Sequence, residues 1–377
     1  MRPLRLTIVA LCVTSACTAT SSASGSAPSA SASRAAATTL AGGAPLPSGC
    51  SGGARPSETV AFVAEGRAWA MDPATHRLAC LFTTSDPGPF AWGPQGDRVL
   101  LGNFQVQGLG AGAPDLSPLG TQPATFDWGH PIGLAIVFAG GSGRPEKRFT
   151  DTGSVERLSA LPIGTYLQIA YHPSGLALGF ILERKDQQSI WMSTNEGDDP
   201  QRLVFAEAGT TFTSIAFSPD GTRLWWIAEH AQGYPELHWM DLGDRSTFTG
   251  VWRGSDGTSA HDLRIAPDGI LKSVNEGTTC QDSRALVIAG GSASRAMPFE
   301  TRPTSANGWL DDSTLLVAAG GCGTPTELFS VDAHLGGTAA PLVTGIDLAS
   351  PRTVLVGAPT SVPEPGSDIV PPPGGLG

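Results

Sequence analysis

The segment YHPSGLALGFILE, beginning at Tyr171, returns as FSPDGTRLWWIAE from Phe217 and IAPDGILKSVNE from Ile265, and in looser form as WGPQGDRVLLGN from Trp92. Weaker copies start at Trp128 (WGHPIGLAIVF) and Trp309 (WLDDSTLLVAA). Each copy is a short apolar run, a turn built on Pro and Gly, and a second apolar run. A spacing of about 40–50 residues leaves room for four short strands per unit. A unit that small cannot bury its own apolar faces, so neighbours must stack. The pattern therefore reads as an all-β chain forming a single β-propeller.

The copy at Phe217 serves as reference. Thr213 to Phe217 reads as the inner strand, Pro219-Asp220-Gly221 as the turn, and Leu224 to Ala228 as the second strand. Glu236 to Leu242 and Phe248 to Trp252 follow as third and outer strands. The chain begins out of phase, because Thr59 to Val63, Ala68 to Asp72 and Leu78 to Phe82 match second, third and fourth strands. The missing inner strand must come from the C-terminal end, and Ile346 to Ser350 is the segment expected to supply it. Closure by both chain ends would remove an exposed sheet edge. Inner strands at 92, 128, 171, 217, 265, 309 and 348 give seven blades. The short interval from 92 to 128 keeps six as the alternative.

Phe217-Ser218-Pro219-Asp220-Gly221 resembles the WD40-like, TolB-type propeller repeat, whose hallmark is an inner strand followed by Ser-Pro-Asp-Gly. The copy at Ile265 departs only at the Ser, and the copy at Tyr171 at the Ser and the Asp. The resemblance covers roughly residues 57–357. It implies the fold; propellers of this kind host many roles.

Residues 1–16 (MRPLRLTIVALCVTSA) carry Arg2 and Arg5 before a short apolar run and read as a signal peptide. Thr14-Ser15-Ala16-Cys17 resembles a bacterial lipoprotein processing site, which implies lipidation of Cys17; Thr14 departs from the usual Leu, which keeps plain secretion as the alternative. Residues 17–56 are Ser, Ala, Thr, Gly and Pro with few charges, and are expected as a disordered tether. Residues 57–357 hold the propeller, and 358–377 read as a disordered Pro/Gly tail. The tether, acylated cysteine and propeller together resemble actinobacterial envelope lipoproteins. The formal charge of −11 becomes −13 once Arg2 and Arg5 are removed, which argues against nucleic acid as a partner. Contact with the membrane is then through the lipid anchor only, and the protein is expected as a monomer.

Beyond Cys12 and Cys17 the chain keeps Cys50, Cys80, Cys280 and Cys322, an even number in an exported protein. Cys280 and Cys322 fall in equivalent loops of adjacent blades and are expected to pair, which leaves Cys50 with Cys80. No Cys-x-x-Cys occurs, so the cysteines do not suggest zinc, and no metal or cofactor is expected. His130 and His172 precede turn prolines in consecutive blades and read as turn residues. The nine tryptophans read as packing between blades, with Trp225 and Trp226 pointing to opposite faces of their sheet.

One constellation suggests a binding face. Glu65, Glu183, Glu229 and Glu276 each stand where a second strand ends. Glu183 and Glu229 lie twelve residues after the aromatic residue of their inner strands, and Glu276 lies eleven after Ile265. These loops gather on one face, and His230 adjoins the set. A carboxylate rim of this kind suits a cationic ligand, a metal or an Arg/Lys-rich partner segment; the plainer reading is solvated loop ends. The chain has no Gly-x-Ser-x-Gly, phosphate loop or His-Glu-x-x-His. It is therefore expected to be a non-catalytic binding scaffold for a protein or other envelope component, outside the cytoplasm. A propeller enzyme directed at glycans or lactones, with its site at the ring centre, is the alternative.

Overall fold

The structure is a computed structural model that describes residues 38–39, 46, 60–84, 91–93, 98–100, 105–108, 115–118, 123–128, 135–334, 338–346 and 355–356. The signal peptide, Cys17, Cys50 and the 358–377 tail lie outside these residues. No helix occurs among those described. The strands form antiparallel sheets stacked as a single β-propeller.

The reference blade holds inner strand Thr211–Phe217, then Arg223–Glu229, Pro235–Asp241 and outer strand Thr247–Arg253, in sequence order across the sheet. The Ser-Pro-Asp-Gly turn holds because Asp220 is bonded on every side. Its carboxylate accepts the Ser218 hydroxyl (2.6 Å) and the Thr222 amide (3.0 Å), while Gly221 adopts φ +72°. The Asp220 carboxyl lies below its ordinary range. Burial pushes it up, but the bonds from Ser218 and Thr222 outweigh that.

Each interface between neighbouring sheets has its own apolar core. Trp226 packs with Ile181, Phe212 and Phe217 toward the blade before it, while Trp225 packs with Leu263 and Val274 toward the blade after it. Adjacent tryptophans serve two interfaces because successive strand residues face opposite ways. The ring closes where Phe62, Trp69 and Met71 pack with Leu316, Leu328 and Val343, joining the first blade to the last.

Side chains also stitch blade to blade. Inner strands carry bulges between Tyr166 and Gln168, Phe212 and Ser214, His261 and Arg264, and Ala306 and Gly308. A bulge frees backbone groups from their own ladder. Of the inner-strand amides that bond to a neighbouring blade, Leu263 lies within its bulge, while Ile215 and Ala306 stand beside theirs, in register with Trp226 and Val317. Gln168 Oε1 accepts the Ile215 amide (2.8 Å), Ser214 Oγ accepts the Leu263 amide (3.1 Å), and Asn275 Oδ1 accepts the Ala306 amide (2.7 Å).

Two expectations are corrected. Closure uses Leu355–Val356, paired with Ala61 and Val60, rather than Ile346 to Ser350. Ile346 instead ends the outer strand Thr338–Ile346 of the last blade, where it pairs with Thr326. Residues 347–350 lie outside the described residues. The count of seven is corrected: among the described residues there are six complete blades, and the unit at Trp92 forms a sheet of three short strands, Ala91–Trp92, Arg98–Leu100 and Val106–Gly108. The interval to Trp128 is rich in Gly and Pro, which disfavour strands. Within the expected tether, Thr38–Thr39 adds a strand to the outer edge of the first blade, and Leu46 packs against that blade's core.

Candidate binding face

Inner strands run toward the Pro-Gly turns, so second strands return to the opposite face. There the second-to-third-strand loops meet the connections between blades. Gly257, in the connection 254–259, donates its amide to the Gly233 carbonyl in the hairpin 230–234 at 2.5 Å. Both glycines have φ +78°, a conformation that a side chain would strain.

The glutamates that end the second strands act as braces on this face. Glu229 Oε1 accepts the Ser259 hydroxyl and the Ala260 amide (3.2 Å), reaching from its own blade to the first residue of the next inner strand. Glu276 Oε1 accepts the Ser255 amide (2.8 Å) and the Thr258 hydroxyl (3.1 Å). The same connection is thus held from two blades. Glu183 accepts from Gln188 Nε2 (3.3 Å), and Gln188 Oε1 in turn accepts the Phe212 amide (2.6 Å) of the following blade. Glu65 differs. It is exposed in the Glu65–Gly66 turn at φ +52°, with Oε2 4.0 Å from Arg67 Nη1.

Further ties lock the next interface. A disulfide joins Cys280 to Cys322, with Cα atoms 5.8 Å apart. Cys80 is also disulfide-bonded, while Cys50 lies outside the described residues. Arg302 grips Glu300 through Nε (3.0 Å) and Nη2 (2.7 Å) and reaches Glu327 at 2.9 Å. Its hydrogen bonds to the Glu300 carboxylate hold that carboxyl down at about 2, against the upward push of burial.

His230 stands beside Glu229 in sequence but turns to a different partner. Its Nε2 lies 3.1 Å from Glu236 Oε2, and the same oxygen lies 3.6 Å from His238 Nε2. Tyr234 stacks on the His230 ring (5.0 Å between centroids), and the Arg253 guanidinium covers Tyr234 (3.7 Å). Glu236 and His238 were not singled out in the sequence. Their signal was available: two residues apart on the third strand, they share one face, six and eight residues after His230.

Chemically, the bonded glutamates accept from N–H and O–H donors of the fold and hold loops and strands in place. Asp311 is similar, accepting the Ser313 (2.8 Å) and Thr314 (2.7 Å) amides in its turn. His172, on the opposite face, bonds to Gly221; His130 lies outside the described residues.

No protein-family profile matches the chain, and no curated protein matches it. Among solved structures, a candidate 6-phosphogluconolactonase from Bacteroides uniformis is 13% identical with a TM-score of 0.53, over 77% of this chain and 98% of that one. An oligogalacturonate lyase from Vibrio parahaemolyticus is 13% identical with a TM-score of 0.51, over 71% of this chain and 83% of that one. TolB from Acinetobacter baumannii is 12% identical with a TM-score of 0.45, over 78% of this chain and 66% of that one. At such identities the likeness is one of fold.

Proposed function

We propose that the chain is an exported propeller, anchored at a membrane through Cys17, that binds a cationic protein segment or other envelope component without catalysing a reaction. One observation carries this reading: the loop face is pre-assembled. Glu229 and Glu276 hold the connection 254–259 from two blades, and Cys280–Cys322 staples the next interface. Loops fixed before binding lose little entropy when a partner docks, which is how a rigid scaffold gains affinity. The net charge, −11 for the full chain and −13 once Arg2 and Arg5 leave with the signal peptide, favours a basic partner and speeds its encounter. Gln168 and Ser214 on inner strands, and Asn275 on a second strand, use their polar atoms on the inner strands of neighbouring blades, which supports a structural ring centre over a catalytic one.

The test replaces Glu65, Glu183, Glu229 and Glu276 together by Gln, which keeps an acceptor for Ser259 and Ser255 while removing charge. Binding of an Arg/Lys-rich peptide and capture of partners from envelope extracts are compared with the parent protein at matched thermal stability. Loss of both, with parent binding that weakens as salt rises, is expected. Undiminished binding by the variant would discard the glutamate face. Turnover of a glycan or lactone by the parent protein would replace the scaffold reading with the enzymatic one.

A further inference from the structure

The group formed by His230, Glu236 and His238 sits in one hairpin of the reference blade, and its donor atoms all lie within 4.8 Å of one another. The cross-strand pairs Trp226–His238 and Ala228–Glu236 put both third-strand residues on one face of the sheet. The His238 ring is fixed there. Trp226 stacks against it (5.5 Å, 14°), and Nδ1 accepts the Gly250 amide at 3.3 Å. That orientation aims Nε2 at Glu236. His238 is only 6% exposed, and its Nε2 has no hydrogen-bond partner. A buried imidazole nitrogen left without a partner, facing a carboxylate, is a costly arrangement that calls for an occupant.

The charge balance points the same way. Among the described residues no lysine or arginine lies within ion-pair distance of the Glu236 carboxylate; the two histidines are its nearest partners, and Arg253, its cross-strand neighbour, adds only a longer-range attraction. Arg253, the nearby cation, is engaged by Asp256 at 2.7 Å and by the Tyr234 ring. Two imidazoles and one carboxylate make a donor set of net charge −1, of the type that binds zinc. Spacing agrees too. Tetrahedral zinc bonds of about 2.0–2.1 Å separate neighbouring donors by roughly 3.3–3.4 Å. The observed 3.1 and 3.6 Å bracket that value.

We propose that His230 Nε2, Glu236 Oε2 and His238 Nε2 form a three-ligand site for a divalent cation of the zinc type, with water completing the coordination. The site does not depend on the scaffold reading. Loading moves the His238 proton from Nε2 to Nδ1, since a metal needs the bare nitrogen, and gives up the long Gly250 contact. Pinned between second and third strands, the cation would fix the hairpin 230–234 that touches Gly257.

The test uses untagged full-length protein, stripped with chelator and titrated with zinc chloride by calorimetry and thermal melting. Cobalt chloride supplies a visible spectrum in parallel. One equivalent per chain, a melting temperature that rises with zinc, and the absorption of four-coordinate cobalt are expected. His230→Ala and Glu236→Gln should each weaken zinc by at least about tenfold and abolish the cobalt bands, with metal-free melting close to the parent. His230 is a loop residue, so its variant reads the site even if Glu236→Gln unfolds. Absence of stoichiometric binding, or equal binding in the His230→Ala protein, would overturn the proposal and leave the cluster a hydrogen-bonded one.

Discussion

His172 Nε2 donates a hydrogen bond to the Gly221 carbonyl at 2.8 Å, tying the turn of one blade to the turn of the next. The direction is fixed by the other nitrogen. Nδ1 accepts the Ser174 amide at 3.1 Å, so the proton of the neutral ring must sit on Nε2. Two consequences follow, one steric and one electrostatic.

Gly221 has φ +72°, and a Cβ added there would stand 2.5 Å from the His172 ring. Gly269 fills the same place in the next blade at φ +75°, but its nearest atom is Pro219 Cδ at 3.8 Å. Gly269→Ala should cost only backbone strain, about 1–2 kcal/mol. Gly221→Ala should cost that plus the clash and the displaced His172 bond, about 2–4 kcal/mol in all. Urea unfolding of the two variants checks this; equal losses would mean that the His172 contact carries nothing.

Burial holds the His172 imidazole below its ordinary value, although the Gly221 carbonyl bond and Asp220 pull it upward. In the unfolded chain the ring titrates at about 6.5. Between the folded and unfolded values the unfolded state binds more protons, so stability rises with pH. The contribution is therefore complete above the unfolded value and is lost as pH falls through the folded one. Unfolding free energy measured from pH 7.5 to 5 should fall more steeply in the parent than in His172→Asn. Parallel curves would contradict the buried neutral ring.

The Cys280–Cys322 bridge closes a separation of 42 residues across two blades. Removing it by Cys280→Ser with Cys322→Ser should cost about 2–4 kcal/mol. It should also loosen the face where Glu276 holds Ser255 and Thr258. Faster amide exchange at residues 277–283 and 318–325 is expected, with the blade at Tyr171 unchanged. Uniform protection in both proteins would deny the bridge its bracing role.

The repeats made most of the architecture legible. Pro-x-Gly turns mark the switch from inner to second strand, and the pair Trp225–Trp226 announces that both faces of that blade are covered. What escaped was long-range or side-chain-specific. Leu355–Val356 is too short a strand to stand out, and only pairing with Val60 and Ala61 gives it a role. The glutamates at strand ends were visible by spacing, but their bonds to Ser259, Ser255 and Gln188 depend on how the next blade is placed. Glu236 and His238 read as ordinary strand residues until the hairpin folds His230 back upon them. The hydrogen bonds that tie Ile215 to Gln168 and Leu263 to Ser214 leave no mark in a hydrophobic pattern.

Strands from both ends of the chain close the ring. Val60–Ala64 is buried at every residue, and Leu355–Val356 pairs along its inner edge. The direct measurement is thermal unfolding of two truncations, one ending at Gly357 and one at Arg352. The chain ending at Gly357 should melt like the full-length protein. The chain ending at Arg352 should melt at clearly lower temperature and expose the Val60–Ala64 edge to self-association. Equal melting of the two would contradict closure by Leu355–Val356.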